Sequence, residues 1–414
     1  MRIAQLSKDS SQNGGVGTYV VGVGRALVAA GHQVALIHSD TGGSQSSGEM
    51  ERYRVENFDQ FGGAQSDART KRVIEVLTGW QPDVVLIQGN NNFPLEFEIR
   101  RRFAAVKFLH VHDYCPSGNK FHHATSTACQ YPTGSLCLFR MAFCRCTLSK
   151  RPSAIWQMYR RCIASNRNNA EFDRLIVGSN YVKDQAIASG YLPAQIEVLP
   201  YFTELPAEVS APQDSRMILF MGRIEREKGL SYLLEAVSRM QTSWKLVIAG
   251  DGGDLAWAKR RVFELRLTDR TEFVGWVQSE GRSSLFEECS VVAIPSIWPE
   301  PFGLVGIEAM SHARPVVAFR VGGIPDWLED GRTGYAVPPN DVQQMASRLS
   351  YLLEHPTVVW EMGRCGRQSV EQRFCSDRHI THLIEILGRA VADAASVGSD
   401  GGSVRHVGSS LGSV

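Results

Sequence analysis

The sequence predicts an α/β protein made of two parallel-sheet domains, each covered by helices on both faces. Short β-rich runs alternate with helical periodicity through most of the chain, and strand, helix, strand in that order gives a parallel sheet. At 414 residues the chain is longer than one hydrophobic core serves, given roughly 100–200 residues per domain. A stretch of little periodicity, punctuated by Pro200, Pro206 and Pro212, interrupts the alternation as a linker would.

In the first half, strands are expected at RIAQLS (2–7), VALIHS (34–39), DVVLIQ (83–88), VKFLHVHD (106–113), RLIVGS (174–179) and IEVLP (196–200), with helices over 16–30, 66–80 and 180–189. The second half restarts with MILFMG (217–222), KLVIAG (245–250), TEFVGW (271–276), SVVAIPS (290–296) and ARPVVAF (313–319), each followed by a helical pattern. Helices are further expected over 341–354, 357–373 and 378–395. The expected divisions are a first domain over 1–205, a second over 206–375, a C-terminal helix over 376–396 that crosses back to the first domain, and a Gly/Ser-rich, disordered tail over 397–414.

Composition excludes several classes. Hydrophobic residues at 43% and charged residues at 21% are ordinary globular usage. Lys plus Arg (44) against Asp plus Glu (43) leaves +1, so no overall field gathers nucleic acid. The opening lacks the apolar stretch of a secretory leader, and no later apolar run approaches the ~18 residues of a membrane span. A cytoplasmic protein is expected, peripheral at the inner face of the membrane if a basic surface described below docks there.

Three segments carry candidate chemistry. Asn13-Gly14-Gly15-Val16-Gly17-Thr18 joins the first strand to the first helix, where glycines admit a ligand close to the backbone and free N–H groups attract an anion. A plain strand-to-helix turn uses the same glycines. A dinucleotide fingerprint would need a third glycine where Val20 stands, although Asp40 sits where a ribose-binding acid is expected. In the second half, Gly222-Arg223 ends a strand and Lys228-Gly229 opens a helix, placing two cations where a diphosphate suits them, or leaving two solvated loop charges. Finally, in Pro299-Glu300-Pro301-Phe302-Gly303-Leu304-Val305-Gly306-Ile307-Glu308 a strand runs through a loop into a helix beginning near Gly303. Its two carboxylates are eight residues apart, slightly over two helical turns, and reach one crevice if the loop folds back; acids near a helix N-terminus also serve as complements to its dipole.

These segments, together with GGVGTY, HD (112–113), GSNYVKD (178–184), IAGDGG, FVGWV and GGIPDWLEDGRTGYAVPPND, resemble in order and spacing the retaining, nucleotide-sugar-dependent glycosyltransferases of family four, over residues 1 to about 390. The resemblance implies the GT-B fold, two Rossmann-like domains facing each other across a cleft. It implies that Arg223 and Lys228 bind the donor diphosphate beside Gly222, with main-chain N–H groups at Gly15 and around Gly303 and Leu304, and that Phe302 belongs to the same donor-binding set. Glu308 would accept from the ribose hydroxyls, Glu300 from the transferred sugar, and Gly275-Trp276-Val277 would border the base. His112 matches a histidine that faces the sugar, with a buried strand-end histidine as the alternative. The catalytic set is thus His112, Glu300, Arg223 and Lys228.

Cations beside the phosphates and acceptors around an oxocarbenium-like sugar suit a reaction that expels a nucleoside diphosphate. No Asp-x-Asp occurs, so neither a metal nor a cofactor is expected. The expected partners are a nucleotide-sugar donor and a saccharide or lipid-linked acceptor, in polysaccharide or glycolipid biosynthesis. A nucleotide-sugar epimerase of similar fold and a non-catalytic nucleotide-sugar-binding protein are the alternatives.

From Tyr114 to Ala170 there is no Asp or Glu but eight Lys or Arg, and without them the chain carries 36 basic against 43 acidic residues, a balance of −7. Leu138, Phe139, Met141, Phe143, Trp156 and Tyr159 are interleaved with these cations, so residues 138–167 are read either as a surface for an anionic membrane or a phosphate-bearing lipid acceptor, or as a solvated basic face over a normal core. Cys115, Cys129, Cys137, Cys144 and Cys146 in the same region could bind a metal, but their spacings match no zinc pattern, and buried thiols are the alternative.

Overall fold

The computed structural model describes residues 1–8, 10, 15–39, 50–59, 64–89, 92–117, 120–122, 125, 127–129, 131–147, 149, 151–211 and 216–399. Asn13, Gly14, Asp40, Pro212 and the tail from 400 onward lie outside the described residues, as does the side chain of His112.

The first half contains β1 (Arg2–Ser7), α1 (Gly15–Ala29), β2 (Gln33–His38), β3 (Glu51–Arg54), α2 (Ala64–Trp80), β4 (Val84–Gln88), α3 (Phe93–Arg102), β5 (Ala104–Phe108) and α4 (Val111–Tyr114). A small hairpin, β6 (Phe121–His122) with β7 (Thr127–Ala128), is followed by α5 (Cys137–Phe143) and α6 (Pro152–Asn169). The half closes with β8 (Leu175–Val177), α7 (Asn180–Ala188) and β9 (Ile196–Val198). All seven long-range strands pair in parallel, in the order β3-β2-β1-β4-β5-β8-β9. Every residue of β4 is buried, as a strand covered on both faces requires. Alternate residues face two separate cores: Ala4, Leu6, Val85 and Ile87 on one side, Ile3, Val34, Val84 and Val106 on the other.

After residues 201–211, which form no regular element, the second half runs β10 (Met217–Met221), α8 (Leu230–Arg239), β11 (Lys245–Ala249), α9 (Leu255–Glu264), β12 (Thr271–Gly275), α10 (Ser279–Glu288), β13 (Val291–Ile294), α11 (Leu304–Ser311), β14 (Val316–Phe319) and β15 (Gly334–Val337). Helices α12 (Val342–Glu354), α13 (Pro356–Arg373) and α14 (Ser376–Ser399) follow. The second sheet is also parallel, ordered β12-β11-β10-β13-β14-β15. In both sheets the strand order reverses beside the first strand, which opens a crevice at the carboxyl ends of β1/β4 and of β10/β13, where ligands bind doubly wound sheets.

The strand expected over 106–113 is shorter than read. It ends at Phe108, and His110 caps α4 through a reciprocal capping box with Asp113, whose Oδ2 accepts from the His110 N–H at 2.7 Å. Val111 and Tyr114 are buried on that helix, so apolar residues continue past the end of the strand. Histidine 112 therefore lies on a helical turn, not at a strand end.

Helix α14 packs against the first half. Ile380, Leu383, Ile386, Leu387 and Ala390 share a core with α1, β1, β4 and β5. His379, on its first turns, lies 2.9 Å from Tyr19 Oη through Nε2 and 2.7 Å from the Pro200 carbonyl through Nδ1. Burial lowers its imidazole to about 4, against the opposing pull of the Pro200 carbonyl. With the unfolded value near 6.5, the folded protein resists protonation there, so this contribution is fully present above about pH 6.5 and is lost as pH falls toward 4. We expect this single group to remove about 3 kcal/mol of stability over that interval. The loss should be absent in His379→Gln when unfolding curves at pH 7 and pH 4.5 are compared; equal acid slopes in both proteins would reject it.

Candidate active site

The crevice of the second sheet is built by two loops fastened to each other. After β10, Gly222 leads into a loop that ends in one tight turn, Arg226–Lys228. The Glu227 carbonyl accepts from the N–H groups of Ile297 and Trp298, just after β13, at 3.0 and 3.1 Å. On its other side the loop is tied to the IAGDGG segment: the Ile224 N–H donates to the Asp251 carbonyl at 2.8 Å, and the Gly253 N–H to Glu225 Oε1 at 3.0 Å. The two acids between Arg223 and Lys228 thus hold the loop through backbone contacts and do not cancel the cations.

Lys228 and Glu300, 72 residues apart, meet across this crevice, with Nζ donating to Oε1 at 2.7 Å. The ammonium also lies 4.8 Å from the Trp298 ring, a contact that orients a cation without neutralising it. Glu300 is 7% exposed, and Ser296 Oγ donates to its Oε1 at 2.7 Å. Among the described residues no group donates to Oε2. Arg223 is exposed on the same loop and makes no ion pair with a described residue.

The Glu300 loop rests on the segment after β14. Gly322, at φ 55°, has an added Cβ only 2.1 Å from the Glu300 carbonyl, so no other residue fits that turn. The Gly323 N–H donates to the same carbonyl at 2.7 Å, and Trp327 Nε1 donates to the Phe302 carbonyl at 2.6 Å. Gly303, at φ 91°, then turns the chain into α11, whose first N–H groups have no helical partner. Leu304 is its first residue, and Glu308 projects from the second turn.

Of the expected site residues, Gly222, Arg223, Lys228, Glu300, Gly303, Leu304 and Glu308 lie on the loops and helix that border this crevice. Gly275 ends β12, two strands from β10, with Trp276 half-exposed beside it and Val277 partly buried. Phe302 stands on the Glu300 loop. Its ring is 1% exposed and packed beside Tyr201 and Phe374 at 5.5 and 5.8 Å, which leaves only its main chain for a ligand. Gly15 opens α1 at the carboxyl end of β1.

Sequence reasoning missed Arg282, on α10, which pairs with Glu308. It also missed Ser296 and the Gly322–Trp327 support. Gly322–Trp327 belongs to the recognised GGIPDW segment, but the contacts themselves carry no sequence signal, because each partner lies on another element.

Across the cleft, the carboxyl ends of the two sheets touch. Ser179, which caps α7 by accepting from the Val182 N–H, donates through Oγ to the Pro301 carbonyl at 2.5 Å. The Asn180 N–H donates to Asp326 Oδ2 at 2.6 Å, while burial holds the Asp326 carboxyl above its ordinary range. Phe121 of the β6–β7 hairpin is buried in the core cluster of the second half.

Cys115, Cys129, Cys137 and Cys146 do converge, lining one cavity of about 20 Å³ with Lys120 and Arg140. Among the described residues, however, no three His, Cys, Asp or Glu side chains are disposed to hold a metal ion. Burial pushes the Cys146 thiol up to about 12 and raises Cys129 as well, so these sulfurs are held protonated.

Residues 14–201 match the family described as "Glycosyl transferase 4-like domain", and residues 202–369 that described as "Glycosyl transferases group 1". Among curated relatives, the D-inositol 3-phosphate glycosyltransferase of Mycobacteroides abscessus is 30% identical over 241 residues, 54% of this chain and 53% of that protein. The alpha-D-kanosaminyltransferase of Streptomyces kanamyceticus is 35% identical over 148 residues, 35% of this chain and 38% of that protein. The chain thus spans about a third to a half of the length of the curated relatives it matches. Among solved structures, sucrose-phosphate synthase from Thermosynechococcus elongatus superposes with a TM-score of 0.71 at 21% identity, covering 95% of this chain and 99% of that one. Anabaena HepE, solved in complex with UDP-glucose, superposes with a TM-score of 0.70 at 18% identity, covering 94% of this chain and all of that one. With both halves matched in sequence and two facing parallel sheets arranged as in these structures, the chain belongs to glycosyltransferase family four and has its GT-B fold.

Proposed function

We propose that the protein transfers a hexose-type sugar, with retention of anomeric configuration, from a nucleotide diphosphate donor to a saccharide or lipid-linked acceptor in polysaccharide or glycolipid biosynthesis. The observation that carries the reading is the Lys228–Glu300 pair at the point where the second sheet reverses its strand order. A cation and a constrained carboxylate meet there beside the free N–H groups of α11.

In this reading Arg223 and Lys228 hold the diphosphate and stabilise the charge that gathers on it as the glycosidic bond breaks, a task that oriented cations perform without reorganising. Gly222 lets the strand end lie close to the phosphates, and the main chain at Phe302, Gly303 and Leu304 adds N–H donors. Glu300 accepts from hydroxyls of the sugar through Oε2. It orients the sugar and is not a nucleophile: the acceptor attacks from the face the leaving group vacates, and the departing phosphate takes the acceptor proton. Glu308, steadied by Arg282, accepts from the ribose, and Trp276 with Gly275 and Val277 borders the base. From the first half, Gly15 contributes its N–H toward the phosphates and His112 faces the sugar. Side-chain cations take the part a metal plays elsewhere, so turnover should survive a chelator.

A screen of nucleoside diphosphates by thermal unfolding, followed by incubation of the stabilising nucleotide's sugar with candidate acceptors, tests the reading. A ligand at 100 times its dissociation constant should add about 2.7 kcal/mol of stability. Sugar on the acceptor is the expected product. Interconversion of the donor sugar would show an epimerase, saturable binding without product a non-catalytic binder, and no stabilisation by any nucleotide would reject the site.

A further inference from the structure

The segment between α4 and β8 turns its apolar residues the wrong way for a soluble protein. On α5 and the residue preceding it, Leu136, Phe139 and Phe143 are spaced three and four residues apart and therefore form one stripe. The stripe faces outward, with Leu136 57%, Phe139 65% and Phe143 81% exposed, while Met141 on the opposite side is 3% exposed. Trp156 on α6, which packs beside α5, is 50% exposed. Arg160 and Arg167 follow Trp156 by four and eleven residues and so share its face.

The exposed charge of this segment is of one sign. Arg145, Arg151, Arg160, Arg161 and Arg167 are exposed, and none pairs with a carboxylate among the described residues. The nearest acids in the chain, Asp113 and Glu171, flank the segment, and both are engaged, Asp113 at the α4 cap and Glu171 with Arg100. Outward aromatics interleaved with exposed arginines, without acids, are the composition of a surface that sits in a lipid headgroup layer. A second copy of the chain would set arginine against arginine. No helix among the described residues is long and apolar enough to cross a membrane, so contact would be from one side only.

We propose that residues 136–167 dock the protein onto an anionic lipid bilayer, with Leu136, Phe139, Phe143 and Trp156 entering the headgroup layer and the arginines pairing with lipid phosphates. Because α6 packs on α4 and Phe121 joins the second core, the docked face is mechanically continuous with the cleft. The inference does not depend on the proposed transfer reaction.

The test is flotation of the full chain with vesicles of phosphatidylglycerol and phosphatidylethanolamine in equal parts, against phosphatidylcholine alone. Wild type should float with the anionic vesicles and not with phosphatidylcholine, and should release at about 1 M salt, where the screening length is ~3 Å. Phe139→Ser with Phe143→Ser, and separately Arg160→Glu with Arg167→Glu, should each lower the partition coefficient about tenfold or more. Their unfolding temperatures and nucleotide-induced stabilisation should match wild type, since these residues lie outside the proposed donor site. Absence of flotation, equal flotation with phosphatidylcholine, variants that float like wild type, or a dimer disrupted by the Phe139/Phe143 change in place of vesicle binding would each overturn the proposal. A wild type that binds single-stranded nucleic acid but not the vesicles would overturn it too.

Discussion

Lys107→Met is expected to cost about 3–5 kcal/mol of stability, the usual result of removing one member of a buried ion cluster. Lys107 stands on β5 with no exposed surface, and its ammonium donates to both oxygens of Glu96 at 3.1 Å and to Asn169 Oδ1 at 2.7 Å. Asp113 Oδ1 lies 3.8 Å away. Glu96 and Asp113 are themselves 0% and 1% exposed, so without the cation two buried carboxylates lose its positive charge. Methionine matches the stem of lysine in length and keeps most of its packing, which isolates the charge. Adding Glu96→Gln should recover part of the loss, because a neutral pair is cheaper to bury than a lone anion. Urea unfolding of the single and double variants measures both steps; a Lys107→Met protein as stable as wild type would refute the argument. Asp113 also caps α4, so the single variant should lose more activity than its folded fraction accounts for.

Arg223→Met should have the opposite signature, with stability changed by no more than about 0.5 kcal/mol and kcat/KM lowered about a hundredfold. The first half follows from the exposure of Arg223 and its lack of an ion pair among the described residues. The second follows from the proposed contact with a diphosphate whose charge grows as the bond breaks, for which one oriented donor contributes ~3 kcal/mol. Lys228→Met should lose activity similarly but also stability, because the buried Glu300 carboxylate keeps, among the described residues, the Ser296 hydroxyl as its one remaining side-chain donor. Steady-state kinetics beside thermal unfolding separates the two residues. An Arg223 variant with wild-type kcat/KM would remove that residue from the site.

Most of the parallel-sheet architecture could be read from the sequence because a strand buried on both faces is a continuous apolar run, as in VVLIQ and MILFM. Of the edge strands of the parallel sheets, β9 and β12 were legible as IEVLP and TEFVGW, but two were not: ERYR in β3 is polar, and GYAV in β15 follows a glycine-rich turn that masks its short run. The overextension of β5 has a related cause, since Val111 and Tyr114 are apolar for the sake of a helix. In the candidate site, Arg223, Lys228, Glu300 and Glu308 were legible because their segments carry recognisable order and spacing. The supports were not. Arg282 reaches Glu308 from another helix, and Gly322 is glycine because a carbonyl lies where its Cβ would be. What the order and spacing did not reveal about Phe302 is the place of its ring, which packs beside Tyr201 and Phe374.

The docking of α14 on the first sheet means that the polypeptide passes between the halves twice, and the two passages run side by side where the Thr203 N–H donates to the Phe374 carbonyl at 3.0 Å. Topologically, the second half is a guest spliced into a host whose final helix is made last. A fragment cut near residue 201 would therefore leave the host with a bare groove where Ile380, Leu383, Ile386 and Leu387 belong. Dissecting this protein into autonomous pieces calls for a host rebuilt from two stretches joined by a short bridge, with the guest excised between them.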